Sequence, residues 1–203
     1  MRPDFCYRAQ DSLPEFPAGA CGVDEAGRGP LAGPVLAAAV ILPIGVELKG
    51  LKDSKLLSPP QRICLATEIR AVALTWAIGE ASAAEIDALN ILQATLLAMQ
   101  RALAGLTQAP TEVWVDGLHA PSFSRLSRAV VKGDQRVTSI SAASILAKTV
   151  RDAHMIHMAD LYPGYGFERH KGYASAAHRA ALQRQGPCPE HRRSFAPVRA
   201  LLP

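Results

Sequence analysis

Apolar residues form short runs broken by glycine and proline in the first part of the chain, a pattern that predicts strands joined by turns. Residues 19–41 give two apolar strands around the turn sequence AGRGPLAGP, whose glycines and prolines exclude a helix. Residues 74–80 and 111–116 have the composition and alternation of further strands. A last short apolar run ends in AVVKGD at 129–134.

Helices are predicted from start signals and from apolar spacing. The sequence Ser-Pro-Pro at 58–60 is typical of a helix start, and the capping box at 82–85 opens a helical stretch that reaches Gly105. Helical periodicity also covers 139–161 and 175–185. Because helices follow and separate the strands, we expect an α/β fold: a mixed sheet flanked by helices, with a helical C-terminal extension.

Composition restricts the class of protein. The 203 residues are 49% hydrophobic and 20% charged, which is typical of a globular chain and not of a disordered one. This length predicts one domain, 1–203, with an N-terminal extension at 1–18 and a basic helical C-terminal segment at 174–203. The sequence has no apolar stretch of about 18 residues and no signal-peptide core. We therefore expect a cytoplasmic protein with no membrane association.

The net charge of +4 is unevenly distributed. Residues 166–203 carry seven lysines and arginines against two acids, whereas the rest of the chain is close to neutral. Such a basic segment fits contact with a polyanion such as nucleic acid. A solvated basic helix face is an equally good interpretation, so charge alone leaves the partner open.

Candidate chemistry comes from acidic residues at the predicted strand ends. Asp24-Glu25, Asp116 and Asp134 each follow an apolar run next to glycine-containing turn sequence, and sites in α/β proteins tend to lie at strand ends. Carboxylates that converge repel one another unless a cation neutralises them. Two Mg²⁺ ions would suit such ligands and would support phosphodiester hydrolysis. The alternative, four ordinary turn residues, stays open because sequence spacing does not place them together.

Several sequence blocks resemble ribonuclease HII, a type 2 ribonuclease H. The most specific is GVDEAGRGPLAGPV at 22–35, and the likeness continues in order to the end of the chain. The later blocks are LKDSKLLS, VDG, VVKGD, SISAASILAKTVRD, YGFERHKGY and HRRSF. One departure is Leu118, which stands where the family often has asparagine after VDG, so the polar support of Asp116 is expected to differ.

The resemblance implies a ribonuclease H-like fold and a metal-dependent endonuclease that uses Mn²⁺ or Mg²⁺, with two metal ions. Such an enzyme cuts on the 5′ side of ribonucleotides, in RNA/DNA hybrids and at single ribonucleotides in duplex DNA, leaving 3′-hydroxyl and 5′-phosphate ends. Ribonucleotide excision repair and removal of RNA primers are the implied roles. A monomer suffices for this activity, and the sequence does not identify protein partners.

The resemblance also implies roles for individual residues. The family's catalytic and metal-binding carboxylates match Asp24, Glu25, Asp116 and Asp134. The motif whose backbone reads the ribose 2′-hydroxyl matches Gly27, Arg28 and Gly29. The tyrosine that stacks on the sugar after the ribonucleotide matches Tyr173 in HKGY, which fits better than Tyr165. A lysine that contacts phosphate matches Lys55 in DSK.

Two other functions compete with this one. Ribonuclease HIII is a sister family, but it typically carries an extra N-terminal domain, and only about twenty residues precede the first predicted strand here. A catalytically inactive hybrid-binding module is disfavoured because four carboxylates near phosphate would weaken binding. Asp152 could replace Asp134 as the fourth ligand, but its spacing from Lys148 favours an i,i+4 ion pair on a helix.

Overall fold

The computed structural model describes residues 15–51, 57–121 and 126–202, and within them the predicted elements are found with one difference. The strands are β1 (Cys21–Ala26), β2 (Val35–Ile41), β3 (Thr75–Ala81), β4 (Glu112–Asp116) and β5 (Leu126–Val130). The helices are α1 (Pro59–Val72), α2 (Ala83–Leu89), α3 (Ile91–Ala104), α4 (Gly133–Arg136), α5 (Thr138–Leu161), α6 (Phe167–His170), α7 (Ala176–Gln185) and α8 (Ala196–Arg199).

The strands form one sheet in the order β3-β2-β1-β4-β5. Strand β2 is antiparallel to both β1 and β3, whereas β4 is parallel to both β1 and β5. The prediction of a mixed sheet flanked by helices is therefore confirmed. Because β1, β4 and β5 run in the same direction, their carboxyl ends lie along one edge of the sheet.

The difference from prediction lies in the helical stretch that follows the capping box. The capping box forms as expected, with the Glu85 N–H donating to the Ser82 hydroxyl at 3.2 Å. The stretch is not continuous, because Asn90 has φ 70° and separates α2 from α3. Its side chain then accepts hydrogen bonds from the N–H groups of Leu92 and Gln93. Asparagine tolerates a positive φ and caps helices well, so helical periodicity hid the break.

Glycines let one helix approach each face of the sheet closely. A Cβ on Gly22 of β1 would lie 2.2 Å from the backbone of Ser139 at the start of α5, and a Cβ on Gly79 of β3 would lie 2.0 Å from the Ala98 carbonyl oxygen of α3. The α3 face is packed with small residues of β2 such as Ala37 and Ala39. Close packing of small residues thus brings α3 against the sheet on one face and fixes α5 directly over β1 on the other.

The C-terminal elements pack against the loop that joins β1 to β2. Leu31 and Ala32 of that loop lie in one apolar cluster with Phe167, Leu182 and Val198. An isolated antiparallel bridge also pairs Ala32 with His191. Among the described residues, no helix is long and apolar enough to cross a membrane.

Candidate active site

The four candidate carboxylates lie at the edge where the parallel strands end. Val23 of β1 pairs with Val115 of β4, so Asp24 and Asp116 come next on neighbouring strands. Both valines belong to the core on the α3 side, and alternation therefore puts the two aspartates on the α5 face. Asp134 follows β5 in α4, and its N–H donates to Asp116 Oδ1 at 3.3 Å.

The electrostatics of this edge are unfavourable for negative charge. Burial holds the pKa of Asp24 well above its ordinary value, and repulsion from Glu25 and Asp116 raises it further. Hydrogen bonds from the Ser144 hydroxyl and from the Glu25 N–H, at 2.7 Å from Oδ1, only partly oppose this. Burial also raises the pKa of Glu25, although Arg28 at 3.4 Å lowers it. The edge is an acidic cluster whose charge is incompletely balanced by the protein.

The donor set at this edge fits a hard divalent cation. In the part of the chain that the structure describes, no three or more histidine, cysteine, aspartate or glutamate side chains already stand at ligand spacing. Mg²⁺ does not need such a cage, because it keeps several waters and takes one or two carboxylates together with substrate phosphate. Carboxylate oxygens also suit Mn²⁺. A cation here would relieve the repulsion that raises the pKa of Asp24.

A cleft of about 480 Å³ opens beside these carboxylates, and we refer to it as the catalytic groove. Its lining includes Glu25, the predicted glycine motif and Tyr173, together with Arg62, Ser144, Lys148 and Arg151. The Tyr173 side chain is 48% exposed, and its Cε1 would lie 3.7 Å from a Cβ on Gly29. Tyr165 is instead buried, and its hydroxyl donates to the Gly186 carbonyl oxygen at 2.7 Å. Of the two tyrosines, Tyr173 is the one that faces the groove.

The glycine motif adopts a backbone that requires its first glycine. Gly27 has φ 101°, and a Cβ there would lie 2.1 Å from Arg151 Nε. Arg151 is fully buried, and its guanidinium donates to the carbonyl oxygens of Ala32, Pro34 and Lys171 at 3.0–3.1 Å. One side chain of α5 therefore holds the β1–β2 loop and the HKGY segment together.

Arg192 supports the same loop from the other side and was missed from the sequence. It is one of the seven lysines and arginines in the basic segment at 166–203, but it is completely buried. Its guanidinium donates to five carbonyl oxygens of the loop, those of Gly27, Arg28, Pro30, Gly33 and Pro34. Burial and the nearby Arg151 lower its pKa to about 9. Its place in the HRRSF block, which resembles the family, was the sequence signal that could have indicated a role for it. No local sequence pattern indicates that it is buried.

The contacts of Arg192 fix the direction of two N–H groups in the groove. In a trans peptide the C=O and N–H bonds point in opposite directions. Because Arg192 binds the carbonyls of Gly27 and Arg28, the following N–H groups, on Arg28 and Gly29, point away from it. Within the described residues neither N–H donates to a backbone carbonyl. The loop therefore presents two backbone donors to the groove.

Asp152 is engaged as its spacing predicts. Its carboxylate lies 2.5 Å from Lys148 Nζ and 3.4 Å from Arg62 Nη1. The predicted i,i+4 ion pair is confirmed, and two cations already balance this carboxylate. Asp134 remains the better candidate for the fourth ligand because of its contact with Asp116.

Two sequence observations add little to the site. Lys55 lies outside the described residues. Leu118, which stands where an asparagine is more usual, is 75% exposed.

Comparison with known proteins decides the family. The family model described as Ribonuclease HII matches residues 21–198. The chain belongs to the ribonuclease HII family. A Ribonuclease HII of Thiobacillus denitrificans is 63% identical over 191 residues, which cover 94% of each chain.

Solved structures agree with this assignment. The ribonuclease H2 of Pyrococcus horikoshii is 26% identical with a TM-score of 0.78, over 90% of this chain and 96% of that one. A Bst-RNase HIII crystallised with Mn²⁺ has a TM-score of 0.70 at 20% identity and shares the fold, and this chain covers 68% of it. The family model favours ribonuclease HII over the ribonuclease HIII alternative. Ribonuclease HII proteins are endoribonucleases that act on RNA paired with DNA, so the predicted enzyme class is confirmed.

Proposed function

We propose that the protein is a divalent-metal-dependent endonuclease that cuts the phosphodiester on the 5′ side of a ribonucleotide, leaving 3′-hydroxyl and 5′-phosphate ends. Its substrates are RNA/DNA hybrids and duplex DNA that contains single ribonucleotides. The observation that carries this proposal is the acidic edge. Burial, together with repulsion from Glu25 and Asp116, raises the pKa of Asp24, and the adjacent Glu25 lines the groove with the glycine motif.

The carboxylates hold the cofactor in this proposal. Asp24, Glu25, Asp116 and Asp134 would bind two divalent ions, Mg²⁺ or Mn²⁺. When bound, the ions supply Lewis acidity to the hydrolysis and neutralise negative charge on the scissile phosphate. The Ser144 hydroxyl and the Glu25 N–H keep the Asp24 carboxylate oriented. No side chain acts as a covalent nucleophile, so water is the attacking group.

The loop and Tyr173 select the substrate in this proposal. The 2′-hydroxyl distinguishes RNA from DNA at a given position. The N–H groups of Arg28 and Gly29, whose direction Arg192 fixes, donate to that hydroxyl. Tyr173 stacks on the sugar after the ribonucleotide, a position supported by its exposed ring next to Gly29. The ribose on the 3′ side of the cut and the sugar that follows it are thus tested separately.

Arginine and lysine side chains at the groove hold the phosphates beside the cut. Lys148 and Arg62 line it on one side, and Arg28 lines it next to Glu25. The cellular roles that suit this activity are ribonucleotide excision repair and removal of RNA primers. A single copy contains every proposed site residue, and the cluster shared by the loop and α7–α8 supports residues 1–203 as one domain.

The test is cleavage of a duplex with one ribonucleotide in one DNA strand, incubated with Mg²⁺, with Mn²⁺, or with excess chelator. We expect a single nick 5′ to the ribonucleotide in both metal reactions and none with chelator. Extension of the nicked strand by a polymerase checks for the 3′-hydroxyl. No nick with either metal, or cutting at the same rate with chelator, would refute the proposal.

A further inference from the structure

A second cleft of about 620 Å³ lies beside the catalytic groove, between α1 and α5. The HKGY segment closes one end of it. We call it the α1–α5 cleft. Its charged lining residues are Arg62, Arg70, Lys148, Asp152, Arg169 and Lys171.

The charge of this cleft is strongly positive. Among the described residues that line it, the one carboxylate is that of Asp152, which is already paired with Arg62 and Lys148. Arg169 reaches solvent with 87% of its side chain exposed, although its Nε lies 3.4 Å from Glu168. Five cations against one lining carboxylate indicate that an anion would be attracted to it.

Two residues that line the cleft each have a donor atom with no hydrogen-bond partner among the described residues. Arg70 Nε and Thr149 Oγ1 are both buried atoms without a hydrogen bond. The Arg70 guanidinium lies over the Trp76 ring at 5.2 Å, which holds the side chain in place. An unpaired buried donor costs free energy, so buried donors normally find an acceptor. A ligand rich in acceptor oxygens would supply it once these buried atoms turn towards the cleft.

The α1–α5 cleft adjoins the catalytic groove, because Arg62 and Lys148 line both. A nucleic-acid strand that leaves the groove along these two side chains enters the cleft. Ile63 and Ile156 are 57% and 49% exposed at its walls and offer apolar contact to sugars. We propose that this cleft binds the sugar–phosphate backbone of the duplex beyond the scissile position. The inference rests on the proposed function and adds a second contact region to that site.

The test uses residues that line only the α1–α5 cleft. In the double variant Arg70→Gln/Arg169→Gln, we expect binding of a duplex of about 24 base pairs to weaken about 10-fold at moderate salt. The slope of log affinity against log salt should become shallower by about 1–2, the change expected for one or two lost phosphate contacts. A duplex trimmed to the length of the catalytic groove should bind as before, and the cleavage rate at saturation should be unchanged. Fluorescence anisotropy and single-turnover cleavage measure these quantities.

The matched control removes the same charge elsewhere. Arg101→Gln/Arg193→Gln alters two exposed arginines near α2 and α3, on the opposite face of the sheet. It should leave the affinity for the long duplex within 2-fold of the wild type. If control and cleft variants weaken binding equally, net charge explains the effect and the proposal is wrong.

Thr149→Val tests the unpaired hydroxyl without a change in charge or size. The variant should melt at the same temperature as the wild type or higher, because it loses a donor that has no partner. Affinity for the long duplex should still fall about 3-fold. A lower melting temperature with unchanged affinity would show that the hydroxyl serves the fold and would count against the proposal.

The outcomes separate this inference from the proposed function. If the double variant nicks normally and keeps wild-type affinity and salt slope on the long duplex, the proposal fails and the nuclease assignment stands. If the occupant is instead an acidic peptide, the double variant should give that result and should also bind poly-glutamate more weakly than the wild type. Absence of any metal-dependent nick by the wild type would instead refute the proposed function.

Discussion

The acidic edge and the arginine-supported loop handle buried charge in opposite ways. At the edge, Asp24 is buried next to other acids, and its pKa rises because of this burial and because of repulsion from Glu25 and Asp116. In the loop, Arg151 and Arg192 are buried just as deeply, but they donate eight hydrogen bonds to seven carbonyl oxygens of the loop and the HKGY segment. The carboxylates at the edge would gain from a cation that balances their charge, whereas the arginines of the loop already have their hydrogen-bond acceptors in the free protein.

The difference separates the residues expected to do chemistry from those that position them. Charge left uncompensated in a fold destabilises it and persists only where a ligand needs it. Charge satisfied by backbone carbonyls stabilises one loop conformation. Substitutions at the edge should therefore reduce activity without loss of stability, and substitutions in the loop support should reduce both.

The largest effect is expected at Asp24. Asp24→Asn should lower the cleavage rate by about 10³-fold or more, which is ~4 kcal/mol of transition-state stabilisation. The metal-free variant should nevertheless melt at a higher temperature, because the repulsion from Glu25 and Asp116 is relieved. Calorimetry in chelator and single-turnover cleavage measure the two quantities. An Asp24→Asn protein that is both inactive and less stable would contradict the proposed difference between the acidic edge and the loop.

Asp134 and Asp152 provide a matched pair within the acidic residues. Asp134→Asn should nearly abolish cutting while substrate binding survives, since the change removes a proposed metal ligand. Asp152→Asn should be mild, because Asp152 is an ion-pair partner of Lys148 and Arg62. Rates and binding constants on the same duplex check both. Equal and severe losses would mean that Asp152 belongs to the metal site.

Arg192 and Arg193 are a matched pair in the loop support. Arg192→Met should leave five carbonyls without their donor and lower the free energy of unfolding by about 3 kcal/mol or more. Cleavage should fall with it. Arg193→Met removes an exposed side chain and should change neither. Urea denaturation measures the free energy of unfolding of each variant. If Arg192→Met is stable but inactive, Arg192 behaves like the residues of the acidic edge and not as a support of the loop.

Tyr173 should show a smaller effect that depends on the substrate. Tyr173→Ala should slow cutting at a single ribonucleotide about 10-fold, equivalent to ~1.4 kcal/mol. The loss on a long RNA/DNA hybrid should be smaller, because many alternative cut positions compensate for a weakened contact. Parallel single-turnover assays on the two substrates make the comparison. The same loss on both would argue against a role in sensing the sugar after the ribonucleotide.

The smallest effect at neutral pH is expected from the histidines behind the loop, which change stability only as the pH falls. His191 accepts from the Cys188 N–H at 3.0 Å and lies 3.1 Å from His178 Nε2, and burial lowers its pKa to about 4. The unfolded chain then binds more protons than the folded one below pH 6.5, so stability is full above that pH and falls as pH drops towards 4. His191→Gln should flatten this slope in urea denaturation with chelator present. An unchanged slope would show that other groups set the acid sensitivity.

The sequence predicted most of the fold because its signals are local. Turn glycines, the Ser58 and Ser82 helix starts and apolar alternation gave strands and helices close to those observed. The candidate carboxylates were predictable for the same reason, since strand-end acids before glycine turns can be recognised one by one. Their proximity was not, because it depends on parallel pairing of β1 with β4, which no local pattern specifies.

The support of the loop by Arg192 could not be predicted from the sequence, for a different reason. Arg192 has the local surroundings of an exposed base, with Arg193 and His191 on either side. Its burial depends on carbonyl groups about 160 positions earlier, and backbone carbonyls leave no mark in the sequence. The break at Asn90 was hidden because both adjoining stretches are themselves good helices.

The distance along the chain between Gly27 and Arg192 has a consequence for synthesis. The two are 165 positions apart, so the loop is made long before the side chain that holds its carbonyls. At about 5–20 residues per second, the ribosome needs roughly 10–30 s to cover that interval. During this time the nascent chain already carries Asp24, Glu25 and Asp116, but the loop lacks Arg192, the donor to five of its carbonyl oxygens. We expect a nuclease that becomes selective for its substrate only when nearly all of its chain has been translated.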